Sequence, residues 1–383
     1  MAHAKYFGAS AAHRWLRCPG SNALSEGIPD QPSSYATEGS ALHRITELVL
    51  NGEVPESTAL IGTEVGVNDE SILVTEEMAN IAQKEVDFVN EITPDDAIRL
   101  IEVRSDYSVP LDQPDAFGTA DVVIITDDEV WVIDHKFGAG VQVHSAQNAQ
   151  LLLYAMGIVE EYRFLREFKR VRLFIGQPRL NHYDEWSCPI AEGDRFMEEA
   201  KKRAARTLSH PDELIPGETQ CRWCKAKAIC PALAKEVDDA FSALPKPDHN
   251  TPSHKLSEAM AKLPLVKAWL DAVPAETERR LVRGEKVCGY KLVEGRRGPR
   301  KWVDSKKIAE TLKQMRVKND DIYEQKIISP TKAEKLVKDG RIGPRQWNTI
   351  LQHVTQAEGR PSVVSEDDPR PELKHDTGFK KLG

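Results

Sequence analysis

Three sets of residues in this sequence have types and spacings that could do chemistry. The first is Cys221-x2-Cys224-x5-Cys230, a compact thiolate trio, with Cys18 far upstream in a comparable Cys-Pro setting; Cys230 is likewise followed by Pro231. Three clustered thiolates and one remote one can close a tetrahedral sulfur site. Sulfur-only ligation suits zinc and iron–sulfur alike, so spacing leaves both open. Cys188 and Cys288 lack such neighbours and read as ordinary residues. The second set is Gly118-Thr119-Ala120-Asp121, followed by Val130-Trp131-Val132-Ile133-Asp134-His135-Lys136. Asp134 and Lys136 are two apart, so in a strand they share a face, among valines and an isoleucine that favour burial. Carboxylate oxygens that converge at one point bind Mg²⁺ or Mn²⁺. An adjacent lysine can orient or activate a water and offset charge on a phosphate. An edge salt bridge is the plainer explanation of Asp-x-Lys taken alone. The third set is Gln150-x3-Tyr154, one helical turn apart, where Tyr154 alone could be plain core.

The elements that must position these groups follow from periodicity. Glu38 to Leu50 reads as a helix, with Leu42, Ile45 and Val49 on one face and His43 and Glu47 sharing another. Thr75 opens a helix to about Ile92 on a stripe of Met78, Ile81, Ala82 and Val89. Strands are predicted over Arg99–Tyr107, Thr119–Thr126 and Glu129–Lys136, the last two joined by the turn Asp127-Asp128. Gly138 and Gly140 break the chain, Ser145 caps a helix through Gly157, Arg170–Gly176 is a further strand, and Ile190–Leu208 is a long charged helix. The order is helix, three strands, helix, strand.

Length and charge bound the rest. At roughly 100–200 residues per domain, 383 residues imply two domains or one with an appendage. No run approaches the ~20 apolar residues of a membrane span, so no membrane partner is expected. The first residues lack a basic segment followed by an apolar run, so a cytoplasmic protein with reduced or metal-bound cysteines is expected. The net charge of −8 conceals an asymmetry: residues 251–383 carry 28 Lys and Arg against 19 Asp and Glu, whereas residues 1–250 carry 24 against 41. A basic C-terminal part on an acidic body hints at a polyanionic partner. There, Arg300 and Trp302 in Gly295–Trp302 are echoed by Arg345 and Trp347 in Gly340–Trp347, and arginine beside aromatics can grip phosphates and stack bases. Helix-surface charge with core tryptophans explains the same residues. The predicted organisation is a domain over 1–243, a proline-rich linker over 244–254, a basic, mainly helical region over 255–357 and a polar tail over 358–383.

Taken in order, the helix with His43, Gly-x-x-Asp121, Asp134-x-Lys136, Gln150-x3-Tyr154 and the cysteine trio with remote Cys18 resemble the RecB-type nucleases of the PD-(D/E)xK superfamily. The likeness covers roughly residues 5–235 and is strongest to members with a four-cysteine iron–sulfur cluster; the whole chain also resembles an uncharacterised phage-encoded RecB-like group. The resemblance implies an α/β fold: a restriction-endonuclease-like core, a mixed sheet flanked by helices, closed by an iron–sulfur clamp. It implies that Asp121, Asp134 and His43 hold Mg²⁺ or Mn²⁺, with the His135 carbonyl adding an oxygen. Lys136 would position the attacking water, and Gln150 and Tyr154 would support the lysine or contact DNA. Cys18, Cys221, Cys224 and Cys230 would hold a 4Fe–4S cluster. Glu102 lies where relatives often carry an acid. The implied activity is a metal-dependent deoxyribonuclease, an exonuclease of phage DNA recombination, replication or degradation, acting in the host cytoplasm. The alternative is a catalytically weak protein that binds DNA ends and recruits a recombination or replication partner through its C-terminal part.

Overall fold

The computed structural model describes residues 4, 6–29, 34–67, 70–242, 252–291, 293, 310, 313–315 and 330–351. The chain divides into two units, Met1–Val293 and Glu294–Gly383. The first is a mixed α/β unit. Its main elements are α1 (Ser34–Leu50), a hairpin of β1 (Glu64–Val67) and β2 (Glu70–Leu73), α2 (Glu76–Ile92), β3 (Ile98–Asp106), β4 (Phe117–Ile125), β5 (Glu129–His135), α3 (Ala149–Tyr162), β6 (Arg170–Gln177), β7 (His182–Pro189), α4 (Ile190–Ser209), α5 (Pro231–Ser242) and α6 (Ser253–Val282).

Strands β3 to β7 form one sheet in sequence order, antiparallel except for the parallel pair β5–β6. A parallel pair needs a crossover, and α3 supplies it. Helices cover both faces. On one side Val130 and Val132 of β5 and Leu173 and Ile175 of β6 bury against Leu151, Leu153 and Ile158 of α3 and Met197 of α4. On the other, Trp131 and Ile133 of β5 and Phe174 of β6 bury against Val86 and Val89 of α2 and Val49 and Leu50 of α1. Burial on both faces is why β5 reads as a continuous apolar run. It also decides the site: by alternation Asp134 falls on the α3 face and His135 on the α2 face.

Local signals account for the helix starts. The Thr75 hydroxyl accepts from Met78 N at 3.2 Å, with Glu76 and Glu77 favourable in the first turn. For α3 the cap is Asn148, whose side chain accepts from the N–H groups of Gln150 and Leu151. The predicted cap Ser145 lies three residues earlier and donates its hydroxyl to Asp184 instead, at 2.9 Å. Two further elements carry no strong sequence pattern: the β1–β2 hairpin, and β7, which alternates half-buried and exposed polar residues as an edge strand.

The boundary expected at 244–254 does not end the first unit. Helix α6 belongs to it, with Leu265 and Trp269 packed against a cluster of Cys221, Cys230 and Leu233. In the second unit, α7 (Pro330–Lys338) is followed by Gly340 at φ +69° and α8 (Pro344–Leu351). A glycine in left-handed conformation is what a tight helix stop requires. Arg345 is exposed and Trp347 half-buried on α8, whereas Arg300, Trp302 and the tail 358–383 lie outside the described residues. No helix among the described residues is long and apolar enough to cross a membrane.

Candidate active site and cysteine cavity

The site begins where the sheet parts. Strand β4 pairs with β5 only from Val122 to Ile125, so Asp121 lies just beyond the ladder. Its partner strand β3 is also interrupted there, because Glu102 is the one residue between Ile101 and Val103 that lacks a pairing partner. Glu102 has φ +50°, a left-handed conformation for a residue with a side chain inside a strand. Such strain persists only where the surroundings impose it, and it clusters at functional sites. The opened backbone is put to use: the His135 N–H donates to Asp121 Oδ2 at 2.6 Å.

Five elements, α1, β3, β4, β5 and α3, deliver side chains to this notch. His43 on α1 lies with Nδ1 3.4 Å from Asp121 Oδ1. Ligand atoms of His43, Glu102 and Asp121 all fall within 4.8 Å of one another. Beside them, Asp134 is engaged from both oxygens: Lys136 Nζ is 2.6 Å from Oδ2, and Gln150 Nε2 on α3 donates to Oδ1 at 2.9 Å. Gln150 also accepts from Lys136 and donates to the Tyr154 hydroxyl, both at 3.4 Å. Gly118 makes room for that ring, because a Cβ there would sit 2.5 Å from Tyr154 Cε1.

His135 behaves differently from its neighbours. Its ring turns to the α2 face, where Nδ1 meets Glu85 Oε2 at 2.7 Å, with both side chains almost fully buried. Gly176 on β6 leaves the space for Glu85, whose Oε2 would lie 2.0 Å from a Cβ at that position. Burial alone would lower the His135 ring, but Glu85 outweighs it and raises it, and the hydrogen-bonded His135–Glu85 pair braces the strand from behind. Sequence reasoning passed over Glu85, although its place on the apolar stripe of α2, four residues from both Ile81 and Val89, was a signal that could have found it.

Electrostatics separate the carboxylates. Burial opposes ionisation of Asp121, but the His43 imidazole and the His135 N–H outweigh it and hold the carboxyl well below the usual range. Burial, then repulsion from Asp121, pushes Glu102 up to about 7. Asp134 is also raised: burial dominates, and Asp121 partly offsets the help of Lys136. Lys136 is raised because Asp134 outweighs its burial. Three carboxylates thus crowd a space with one lysine and one imidazole. A donor set of hard oxygens and one imidazole, short of positive charge, fits a divalent cation such as Mg²⁺ or Mn²⁺. Of the residues named from sequence, His43 and Asp121 gather with Glu102, Asp134 stands beside them held by Lys136, and the His135 side chain points away.

Four of the six cysteines line a cavity of their own. Cys18 follows the short helix Ala12–Trp15, and Gly20 lets this segment approach the chain at 211–214, with Gly20 N donating to Glu213 O at 2.8 Å. A Cβ there would meet Pro211 O at 2.6 Å. Cys18, Cys221, Cys224 and Cys230 consequently line one small cavity together with Leu24 and Leu233. Backbone N–H groups are aimed at three of the sulfurs: Ile215 at Cys18 (3.3 Å), Gly217 at Cys221 (3.4 Å) and Leu233 at Cys230 (3.5 Å). Burial raises Cys18 and pushes Cys221 up to about 11, so these thiols are protonated until a cation claims them. Four thiols on one cavity, with N–H donors to sulfur, fit a thiolate-bound metal or cluster. Cys188 is instead buried in β7, and Cys288 is exposed.

Against known families, residues 3–371 match the model described as "Protein of unknown function (DUF2800)", which spans nearly the whole chain. The chain, with its notch of acids and its cavity of thiols, is therefore a member of the DUF2800 family.

Proposed function

We propose that this protein is a metal-dependent DNA nuclease of the RecB-like PD-(D/E)xK type, an exonuclease that hydrolyses phosphodiester bonds, with a 4Fe–4S cluster on its four clustered cysteines. The observation that carries the reading is the meeting of Asp121, Asp134, Lys136, His43 and Glu102 where β4 leaves β5. The mixed sheet with its α3 crossover supports a restriction-endonuclease-like core. A role in phage DNA recombination, replication or degradation rests on the sequence resemblance alone, as does the choice of iron–sulfur over zinc.

Asp121, Asp134, His43 and Glu102, with the His135 carbonyl, would hold Mg²⁺ or Mn²⁺. The ion would polarise the phosphate and lower the pKa of a bound water. The chain's own groups do the remainder. Lys136, on the same strand face as Asp134, presents its ammonium to the attacked phosphate, holding the water and offsetting the charge that builds in the transition state. Gln150 bridges Asp134 and Lys136 and keeps both in register, with Tyr154 behind it. Asp121 is fixed by the His135 N–H and His43. Such fixing keeps donors aimed without reorganisation during the reaction. In the basic C-terminal region, Arg345 and Trp347 would add grip on DNA, the arginine on phosphates and the tryptophan by stacking.

The test is a time course on end-labelled single- and double-stranded DNA with Mg²⁺ or Mn²⁺, using anaerobically prepared wild type and Lys136→Ala. Release of label by wild type alone supports the reading, and comparison of 5′ with 3′ label gives the polarity. DNA binding without cleavage by either protein would favour an end-binding protein that recruits a partner. Acid-labile sulfide and visible absorption in the purified protein would support the cluster; stoichiometric zinc without sulfide would replace it.

A further inference from the structure

Another group of side chains able to ligate a metal lies at the edge of the same sheet. Ligand atoms of His144, His182 and Asp184 fall within 4.8 Å of one another. His144 belongs to the loop 136–148 between β5 and α3, and the other two belong to edge strand β7. The register fixes where they stand. Asp134 pairs with Ile175, and Ile175 with Asp184, so Asp184 shares a row with Asp134 two strands away. At about 4.8 Å per strand that is roughly 10 Å from the active-site carboxylate, on the same face.

The three groups are prepared for a ligand role. His182 Nε2 lies 2.9 Å from the Val143 carbonyl, which can only accept, so the proton sits on Nε2 and the lone pair on Nδ1. That is how a ligating histidine is usually oriented, by a hydrogen bond from its other nitrogen. Asp184 Oδ2 accepts from Ser145 N (2.7 Å) and Ser145 Oγ (2.9 Å), which hold the carboxylate in place. His144 is exposed, its Nδ1 3.7 Å from Asp184 Oδ2, its ring centroid 5.6 Å from that of His182. The one group on the His182 lone pair is the amide of exposed Gln142, at 3.2 Å, which can swing aside.

We propose that His144, His182 and Asp184 form a further metal site, apart from the notch and the cysteine cavity, selective for a borderline transition ion and taken here as Zn²⁺, which ties the loop 136–148 to β7. Two imidazoles and one carboxylate suit Zn²⁺ and leave a position for water or another ligand. The set contrasts with the oxygen-rich notch, which suits Mg²⁺ or Mn²⁺. The loop already leans on this strand pair: Val143 N donates to Gln177 Oε1 at 2.7 Å, and Gln177 Nε2 donates to Val141 O at 3.0 Å. An ion would lock the segment that leads directly into Gln150. The proposal does not rest on the nuclease reading, since it concerns neither Lys136 nor the notch.

The experiment is equilibrium dialysis of the full-length protein against Zn²⁺ after chelator treatment, with metal counted per chain, for wild type, His144→Ala, His182→Gln and Asp184→Asn. Any zinc held by cysteines is common to all four proteins and cancels in the comparison. Wild type is expected to bind one more ion per chain than each variant, or to bind it at least 10-fold more tightly, the scale on which even supporting residues of metal sites act. A Zn²⁺-dependent rise in melting temperature that His144→Ala lacks is expected alongside, because binding to the folded form alone stabilises it. His144 is exposed, so its truncation leaves the fold intact and the comparison interpretable. Equal stoichiometry and affinity in wild type and His144→Ala overturns the proposal. Loss of nuclease activity in Lys136→Ala with this zinc retained leaves it standing.

Discussion

Glu102 carries two costs that the proposed ligand role would account for, and they can be separated. Its left-handed backbone at φ +50° inside β3 costs about 1–2 kcal/mol for a residue with a side chain. Its carboxyl, pushed up by burial and by Asp121 to about 7 from 4.5, adds a second cost. The folded protein holds this proton more tightly than the unfolded chain does. The group therefore costs little below about 4.5, and stability falls as pH rises through the window to about 7, above which the loss is complete. At about 1.4 kcal/mol per unit, the full shift is roughly 3 kcal/mol, and solvent screening of this half-buried side chain cuts that to about 1–2 kcal/mol. In chelator, Glu102→Gln is expected to raise unfolding free energy by about that amount at pH 8 and hardly at all at pH 4.5. Glu102→Gly also relieves the backbone. After the ~0.5–1 kcal/mol entropic penalty of glycine, it should gain a further ~0.5–1 kcal/mol at both pH values. The raised histidines His43 and His135 also lose stabilisation as pH rises, so each variant must be compared with wild type at the same pH. Urea denaturation at the two pH values reads stability, and calorimetric titration with Mn²⁺ reads affinity, which should fall at least about 10-fold in both variants. The reasoning is refuted if Glu102→Gln is less stable than wild type at pH 8, or if Glu102→Gly gains nothing over Glu102→Gln at either pH.

Three other perturbations follow from the same geometry. Gly118→Ala drives a methyl into the Tyr154 ring and should cost about 1–3 kcal/mol, loosening Gln150; thermal melts and near-ultraviolet circular dichroism would register it, and an unchanged melting temperature would contradict the close contact. Gly176→Ala evicts Glu85 from His135 and should destabilise by about 3 kcal/mol or more, as breaking a buried ion pair does; a neutral effect in urea denaturation would mean that the pair does not brace β5. Cys230→Ser should strip the metal or cluster proposed for the cysteine cavity and loosen the join between Cys18 and 221–230, read as loss of bound iron or zinc and faster proteolysis near residue 215; full metal content in this variant would remove Cys230 from the proposed ligand set.

What could be read beforehand depended on whether physics acts locally. The stripe of Met78, Ile81, Ala82 and Val89 placed α2, and the apolar run at 130–133 placed β5, because burial on a fixed period writes itself into sequence. The facing of Asp134 and Lys136 followed from strand alternation alone, and the two meet at 2.6 Å. The Cys221–Cys230 spacing was visible, and so was the kinship of Cys18, though its arrival at the same cavity is a tertiary fact that composition only suggests. Other features depend on distant partners. Ser145 has the chemistry of a cap, yet Asp184 claims its hydroxyl, and Asn148 caps α3 instead. Strand β7 is polar because it is an edge, so its period-2 signal is weak. Glu85 stands on the apolar stripe of α2, but the partners that accept a buried carboxyl there, His135 and the space at Gly176, come from β5 and β6. The φ of Glu102 has no local signature, since nothing in Ile101-Glu102-Val103 favours a left-handed turn. His144 and His182 are separated by a helix and a strand, and they meet because the loop 136–148 is held to β6 and β7 by Gln177 and by His182 itself. The helix α6, read as the start of a basic appendage, joins the first unit because Leu265 and Trp269 find an apolar patch beside the cysteines.

The most direct test of the central claim is the release of label from end-labelled DNA by wild type, Lys136→Ala and Asp121→Asn in Mn²⁺, with melting temperatures measured in parallel to confirm that all three are folded. The account expects metal-dependent release by wild type and a loss of about 10²-fold or more in each variant, the scale on which a single charge-stabilising group acts. Cleavage by folded Lys136→Ala at the wild-type rate, or no cleavage by metal-loaded wild type on any DNA end, would contradict it.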